Sequence, residues 1–456
     1  MAVLVSVARL AGLRRFGPAA LPLKIHNFAW AVAFFLLGLP LIDYSQIPTS
    51  GWLLLGIGII GFNVGAIVCL SGRRATGVRP PPPVLRRSVV LEWIVPILFF
   101  LGALLYLRAI SAVFGLATFI HQPSLVRSHQ GDSAFEAAFS VPGRMLFGLG
   151  PLCFVVYALP AISGIAPSMV RRVIVLLATV VGLAISLGRS LLLVGLVWAA
   201  MALFLTVSGS PVTESGTRAR KRFGKIAAAS LVGGLVVFQG VALLLGKTGQ
   251  TDQRLQSHVS PVLRGSPLTS AVVYLSAGVP SFGILVSDAP ARYQYPDELL
   301  GPFYGKAVVT PVAKIAALQP PDEVRPFTNN PIPNNVYTYL DAFWLDFRAP
   351  GVVMFPPLFG FGLTYVAARR VRSPEAHLAK ALLIGLTLWV PFGYTFGATY
   401  TWSALLVLGS SILVGRWGRG MARAHGVLRV TDGPLALRVP APSYLGDDGG
   451  LLVPER

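Results

Sequence analysis

Residues 51–71 read GWLLLGIGIIGFNVGAIVCLS, a run without one charged side chain. A bilayer core is about 30 Å thick and needs about 20 mostly apolar residues of helix to cross, so this run is long enough to span it. Comparable runs recur at 27–42, 89–107, 140–163, 172–187, 190–208, 226–246, 351–368, 379–396 and 400–415. Hydrophobic residues make up 54% of the chain and charged ones 12%, against about 25% charged in a soluble domain. The expected fold is an all-α integral membrane protein. It has about ten transmembrane helices and a large, partly helical extracytoplasmic loop. Five stretches follow: a cytoplasmic N-terminal tail over 1–26, helices one to seven over 27–246, the loop over 247–350, helices eight to ten over 351–415, and a largely disordered cytoplasmic tail over 416–456.

The formal charge of +20 would suit a nucleic-acid binder, but its distribution supplies another reason for it. Alternating the sides of the runs puts 26 of the 38 Lys and Arg on the segments called cytoplasmic, with seven of the 18 acids. That leaves net charges of about +19 inside and +1 outside, the positive-inside bias of a membrane protein. Nucleic acid is not needed as a partner. The opening residues, with Arg14, Arg15 and Lys24 ahead of the first run, lack a small-residue cleavage site and read as a retained tail. Cys69 and Cys153 both lie inside apolar runs, which argues against a disulfide framework or a thiolate metal site. A multi-pass plasma-membrane protein with both termini in the cytoplasm is expected.

Cytoplasmic connections are short and basic, while the segment 247–350 is roughly a hundred residues long. Loops of that length usually carry function. Within it, Ala271 to Val286 is apolar enough to imitate another span. Gly278 and Pro280 interrupt it, and a crossing there would place Arg369, Arg370 and Arg372 outside. A helix packed on, or dipping into, the outer leaflet is the consistent reading. No internal repeat of the secondary-transporter kind is visible.

Two constellations can carry chemistry. Gly188-Arg189-Ser190 separates two apolar runs as a tight outer turn, and Arg108, Arg127, Arg144, Arg254 and Arg264 belong to the same side. Arginine suits bidentate phosphate contacts, so this set fits a lipid-linked phosphate or pyrophosphate. The same side chains also suit anchoring of helix ends at the headgroups. The second is the stretch Asn329 to Gly351. Asn334 can cap a helix running to about Arg348, which would align Asn335, Thr338, Tyr339, Ala342 and Asp346 on one face. Asp341 and Arg348 share another face and could pair. The polar stripe is either a substrate surface or a hydrogen-bonded core.

Asn335-Val-Tyr-Thr338, then Asp346-Phe347 and Gly351 before a span, resembles the signature of bacterial oligosaccharide repeat-unit polymerases, the O-antigen polymerase group. The Gly188-Arg189-Ser190 turn and Tyr274-Leu-Ser-Ala-Gly278 are similar to that family's habits, and the layout resembles it over most of 27–415. One departure is Arg348, where the family usually has Gly. The resemblance implies a type C glycosyltransferase fold without a cofactor or metal. It implies transfer of a glycan from a polyprenyl pyrophosphate donor to a sugar hydroxyl of a lipid-linked acceptor. Arg189, Arg108, Arg127 and Arg254 would hold the donor, and Asn335, Thr338, Tyr339 and Tyr274 would line the substrate site. Asp346 or His258 would orient or deprotonate the acceptor hydroxyl. Partners implied are membrane lipids and a chain-length regulator or flippase. Arginines that neutralise a pyrophosphate leaving group can replace a metal, and no extracytoplasmic Asp-X-Asp pair is present. Three alternatives share these features: a glycan ligase of the same superfamily, a transporter or flippase of lipid-linked glycans, and a structural membrane protein. An enzyme using polyprenyl monophosphate sugars is disfavoured by the short first outer loop.

Overall fold

In hydrocarbon a backbone amide can bond only to another protein group, so the apolar runs fold as helices. The computed structural model describes residues 13–72, 88–129, 133–186, 189–209, 240, 253–266, 268–292, 328–330, 333–334, 337–371, 373–393 and 398–424. The chain divides into Met1–Ile412 and Leu413–Arg456. The first unit contains α1 (Leu21–Gly38), α2 (Thr49–Ser71), α3 (Val95–Val113), α4 (Val141–Phe147), α5 (Gly150–Ala158), α6 (Met169–Ile185) and α7 (Arg189–Gly209). It continues with α8 (Thr269–Ser276), α9 (Gly278–Arg292), α10 (Leu340–Ala368), α11 (Pro374–Gly385) and the start of α12 (Thr399–Ala424). In the second unit Leu413, Val414 and Trp417 are exposed. The described β-structure is a two-residue pairing, Thr328 with Asn334 and Asn329 with Pro333, and an isolated bridge between Ile42 and Val259.

Among the described residues, five helices are long and apolar enough to cross a membrane: Phe16–Gly38, Thr49–Ser71, Val90–Val113, Val141–Ala158 and Phe347–Ala368. Leu191–Val207, Gly278–Ser287 and Thr399–Gly415 are shorter apolar helices. The protein is therefore an α-helical membrane protein. Three sequence boundaries need correction. The first helix begins at Leu21, ahead of residue 27. The run 140–163 holds the span-length helix Val141–Ala158, made of α4 and α5, and then a short helix Pro160–Ser163, so its span ends earlier than 163. Within the run 379–396, α11 ends at Gly385 and one 3-10 turn, Leu386–Leu388, follows, while 394–396 lie outside the described residues. Pro391 has no amide proton to continue that helix. The run 226–246 lies outside the described residues.

The helices share two ends. At the loop end lie the turn 39–48, the finish of α3 and α6 and the start of α7. At the basic end lie Glu92, Arg171 and the finish of α2. Lipid tails supply no hydrophobic drive for helix pairing, so close backbone approach and van der Waals packing must do it. The α2–α10 seam shows this. A Cβ on Gly65 would collide with the Pro357 carbonyl, and one on Gly360 with the Phe62 carbonyl. A second core is aromatic: Tyr106 stacks on Phe147 at 4.8 Å and meets Phe139 edge-on at 5.1 Å.

The pair α8–α9 contacts the turn 39–48 and the start of α2. Val273 packs with Ile42 and Val259, the Ser276 and Tyr44 hydroxyls are 2.7 Å apart, and Gly283 lies against Gly51 and Ile47. Both parts touch the loop ends of α1 and α2, and Val279, Phe282 and Leu285 of α9 also pack with Trp30, Leu55 and Phe343.

Candidate functional site

The segment Thr328–Arg348 departs most from its sequence reading. A helix capped by Asn334 is not formed: Asn334 pairs with Thr328 and the helix starts at Leu340. The Tyr339 amide instead donates to the Val390 carbonyl at 2.8 Å, outside any helix. The expected stripe therefore dissolves. Asn335 lies outside the described residues, Thr338 and Tyr339 precede the helix, and only Ala342 and Asp346 remain on it.

At Arg348 the chain turns back with φ 56° and ψ −144°. Phe343 then stacks on Phe355 at 5.1 Å and lies 5.4 Å from Phe359. Twelve residues of straight helix would separate Phe343 from Phe355 by about 18 Å, so the two arms of α10 run side by side. The long arm, Ala349 to Ala368, passes to the basic end, and the short arm, Leu340 to Phe347, rises toward the loop end. Leu340 fits against Gly58, and the Tyr339 ring lies 6.2 Å edge-on from His26. His26 is twelve residues inside the Gly38 end of α1, about 18 Å deep. The re-entrant tip is thus at mid-depth and not at a span entrance.

Asp341 and Arg348 do not pair. Seven residues apart, they are separated by about 10 Å of helix, and Asp341 is fully buried in the first turn of α10. The one ion pair among the described residues joins Arg171 and Glu92 at 2.9 Å. Asp346 stands on the short arm, and Arg189 is the first residue of α7. Arg127 and Arg254 stand on the short helices Pro123–Ser128 and Gln253–Ser257. The side chains of these four residues lie outside the description.

Three of the expected arginines do come to one end. The Tyr106 hydroxyl donates to the Ser186 carbonyl at 3.3 Å, which joins the loop ends of α3 and α6. Tyr106 also meets Phe139 and Phe147 beside Arg144, whose Nε donates to the Phe139 carbonyl at 3.0 Å. Arg108 is exposed two residues beyond buried Tyr106, and Arg189 follows Ser186 by three.

The described part of the long loop is tied to the turn 39–48. The Asp43 amide donates to the His258 carbonyl at 2.8 Å and the Ser260 amide to the Leu41 carbonyl at 2.9 Å. The Ser45 amide donates to Asn330 Oδ1 at 2.8 Å. Burial raises the pKa of the Tyr44 hydroxyl above the usual range, so it stays a neutral partner for Ser276. His258 itself is exposed, and Tyr274 is exposed on α8.

No protein-family model, curated protein or solved structure matches the chain. Two polar groups escaped the sequence reading. One is the buried set His26, Asn27 and Asn63, signalled by amides inside otherwise apolar runs. The other is Glu92, Tyr157 and Arg171, whose signal was a lone acid at the start of a span.

Proposed function

We propose that the chain is a ten-span glycosyltransferase of the bacterial plasma membrane, with both termini cytoplasmic and the loop end facing outward. It polymerises lipid-linked oligosaccharide repeat units. A glycan leaves its polyprenyl pyrophosphate donor and is joined to a sugar hydroxyl of the acceptor unit. The observation that supports this reading is that Arg108, Arg144 and Arg189 all stand on backbone at the end where α3 and α6 are joined by the Tyr106–Ser186 bond, the end to which the long loop is also tied. A donor pyrophosphate sits well among guanidinium groups, whose forks bind its oxygens as charge moves onto the leaving group. Asp346, on the arm that rises toward this end, takes the acceptor proton, with His258 as the other candidate. Thr338 and Tyr339, buried at mid-depth, have no part in this role.

Deletion in the native host tests the reading. Loss of long surface glycans with accumulation of single lipid-linked units supports a polymerase, whereas long chains left on the carrier lipid indicate a ligase. Complementation with Arg189→Lys should fail while the protein accumulates, because Lys keeps the charge and loses the fork. Asp346→Asn should likewise abolish extension, and normal polymer from both variants would remove these residues from the reaction.

A transporter of lipid-linked glycans is a second reading with its own support. The non-helical stretch Trp389–Gly393 meets Tyr337–Tyr339 deep in the bundle, and irregular backbone at such depth recurs where transporters bind cargo. Proteoliposomes that move a labelled lipid-linked unit across the bilayer without lengthening it would favour this reading.

A further inference from the structure

Between α1, α2 and the tip of the re-entrant arm lies a polar group of side chains that the proposed reaction does not use. Trp30 Nε1 donates to His26 Nε2 at 3.1 Å. An indole nitrogen can only donate, so Nε2 must accept and the ring proton resides on Nδ1. Asn63 Nδ2 donates to Asn27 Oδ1 at 3.0 Å. The His26 ring is stacked on Phe62 at 3.9 Å and faces the Tyr339 ring edge-on. His26, Asn27, Asn63 and Tyr339 are all buried.

These bonds use only half of the hydrogen-bonding capacity present. His26 Nδ1, Asn27 Nδ2, Asn63 Oδ1 and the Tyr339 hydroxyl have no partner among the described residues. What remains is two donors, one acceptor and one group that can be either. Both asparagine amides lie within range of the His26 ring, and no charged side chain among the described residues acts on it. The leftover atoms on His26, Asn27 and Asn63 are neutral, and Asp341 at the same tip is not among the groups that act on the His26 ring. The complementary ligand is small, neutral and able both to donate and to accept.

We propose that His26, Asn27, Asn63 and Tyr339 form a buried water-binding site at mid-depth, which fastens the re-entrant tip to the first two membrane helices. Buried water typically makes about three hydrogen bonds to polar groups that would otherwise be unmatched, and this cluster supplies that number. The site serves position and not chemistry, so it stands whether or not the chain transfers glycans.

The test uses the full chain in lipid nanodiscs and turns on a sign. Tyr339→Phe removes one hydroxyl and nothing else. If water bridges that hydroxyl, the variant melts at lower temperature, and the Leu340–Phe343 amides exchange with deuterium about two- to tenfold faster, the loss of one net hydrogen bond. If the hydroxyl has no partner, removing it relieves a buried polar group, and a higher melting temperature with unchanged exchange overturns the proposal. An experimental density map gives an independent check that needs no variant. An ordered solvent peak within about 3 Å of His26 Nδ1 and Asn63 Oδ1 is expected. Its absence in a map that resolves other internal waters overturns the proposal equally.

Discussion

Two buried polar clusters brace this molecule, and they are finished to different degrees. At the basic end, Arg171 reaches Glu92 Oε1 at 2.9 Å, the Glu92 carbonyl at 3.0 Å and the Tyr157 hydroxyl at 3.1 Å. The Tyr157 hydroxyl donates to the Glu92 carbonyl at 2.7 Å, and the guanidinium lies over the Trp93 ring. A π-helical turn, Val90–Ile94, holds Glu92 in that position. Next along α6, Arg172 covers the last carbonyls of α5, Tyr157 and Ala158. At mid-depth, by contrast, His26, Asn27, Asn63 and Tyr339 leave several atoms unmatched within the described protein. The difference follows from charge. A buried carboxylate is tolerated only with its partners built in, whereas neutral amides and a neutral imidazole can wait for a solvent molecule.

The comparison is broken most severely at the charged cluster. Glu92→Ala leaves Arg171 beside an apolar gap and should cost about 3 kcal/mol, the low end for a broken buried pair because Arg171 can still reach water. Thermal unfolding in detergent measures this, and a loss no larger than that of an exposed residue would show that the clasp is ornamental. In the seam that carries the mid-depth cluster, Gly65→Ala forces a methyl group against Pro357 and should cost about 2 kcal/mol. An unchanged melting curve would mean that α2 and α10 do not need their close approach.

Arg348→Gly acts in the opposite direction. Arg348 is the one non-glycine residue with positive φ among the described residues, a conformation that glycine adopts freely. The substitution should stabilise by about 1 kcal/mol. Destabilisation would show that the guanidinium holds the turn and that the tip contacts alone cannot. The smallest effect concerns the link between α7 and α11, where His377 Nε2 lies 3.1 Å from both the Ala202 carbonyl and Thr206 Oγ1. Burial lowers the His377 pKa below its ordinary 6.5, so the unfolded chain takes up the proton first. Its contribution is fully present above about 6.5 and is lost as pH falls toward the folded value. Melting temperature should drop across that window, and His377→Gln should flatten the drop.

The spans were legible wherever an uninterrupted apolar run met a charged boundary. The expected 51–71 and 89–107 correspond to helices over Thr49–Ser71 and Val90–Val113. Burial in irregular backbone was not legible, because Trp389–Phe392 has the same apolar composition as a helix continuing through the membrane. Pro391 and Gly393 were the available signals of a break. The site was read on a helical wheel drawn through Asn334 to Arg348, and it failed because tertiary bonds such as Tyr339 to Val390 outcompeted the local cap. The positive φ at Arg348 could not be read from an arginine, although the resemblance marked that position as one where glycine is usual.

The fold-back of α10 also constrains how the protein is made. Its short arm, Leu340 to Phe347, is about 12 Å of helix, far below the length at which an apolar segment is inserted as a span of its own. It carries Asp341, which resists entry into lipid until other side chains surround it. The arm reaches its place only through contacts with α1, α2, the long arm and Val390. Docking of this arm is a local packing step, distinct from the insertion of a span.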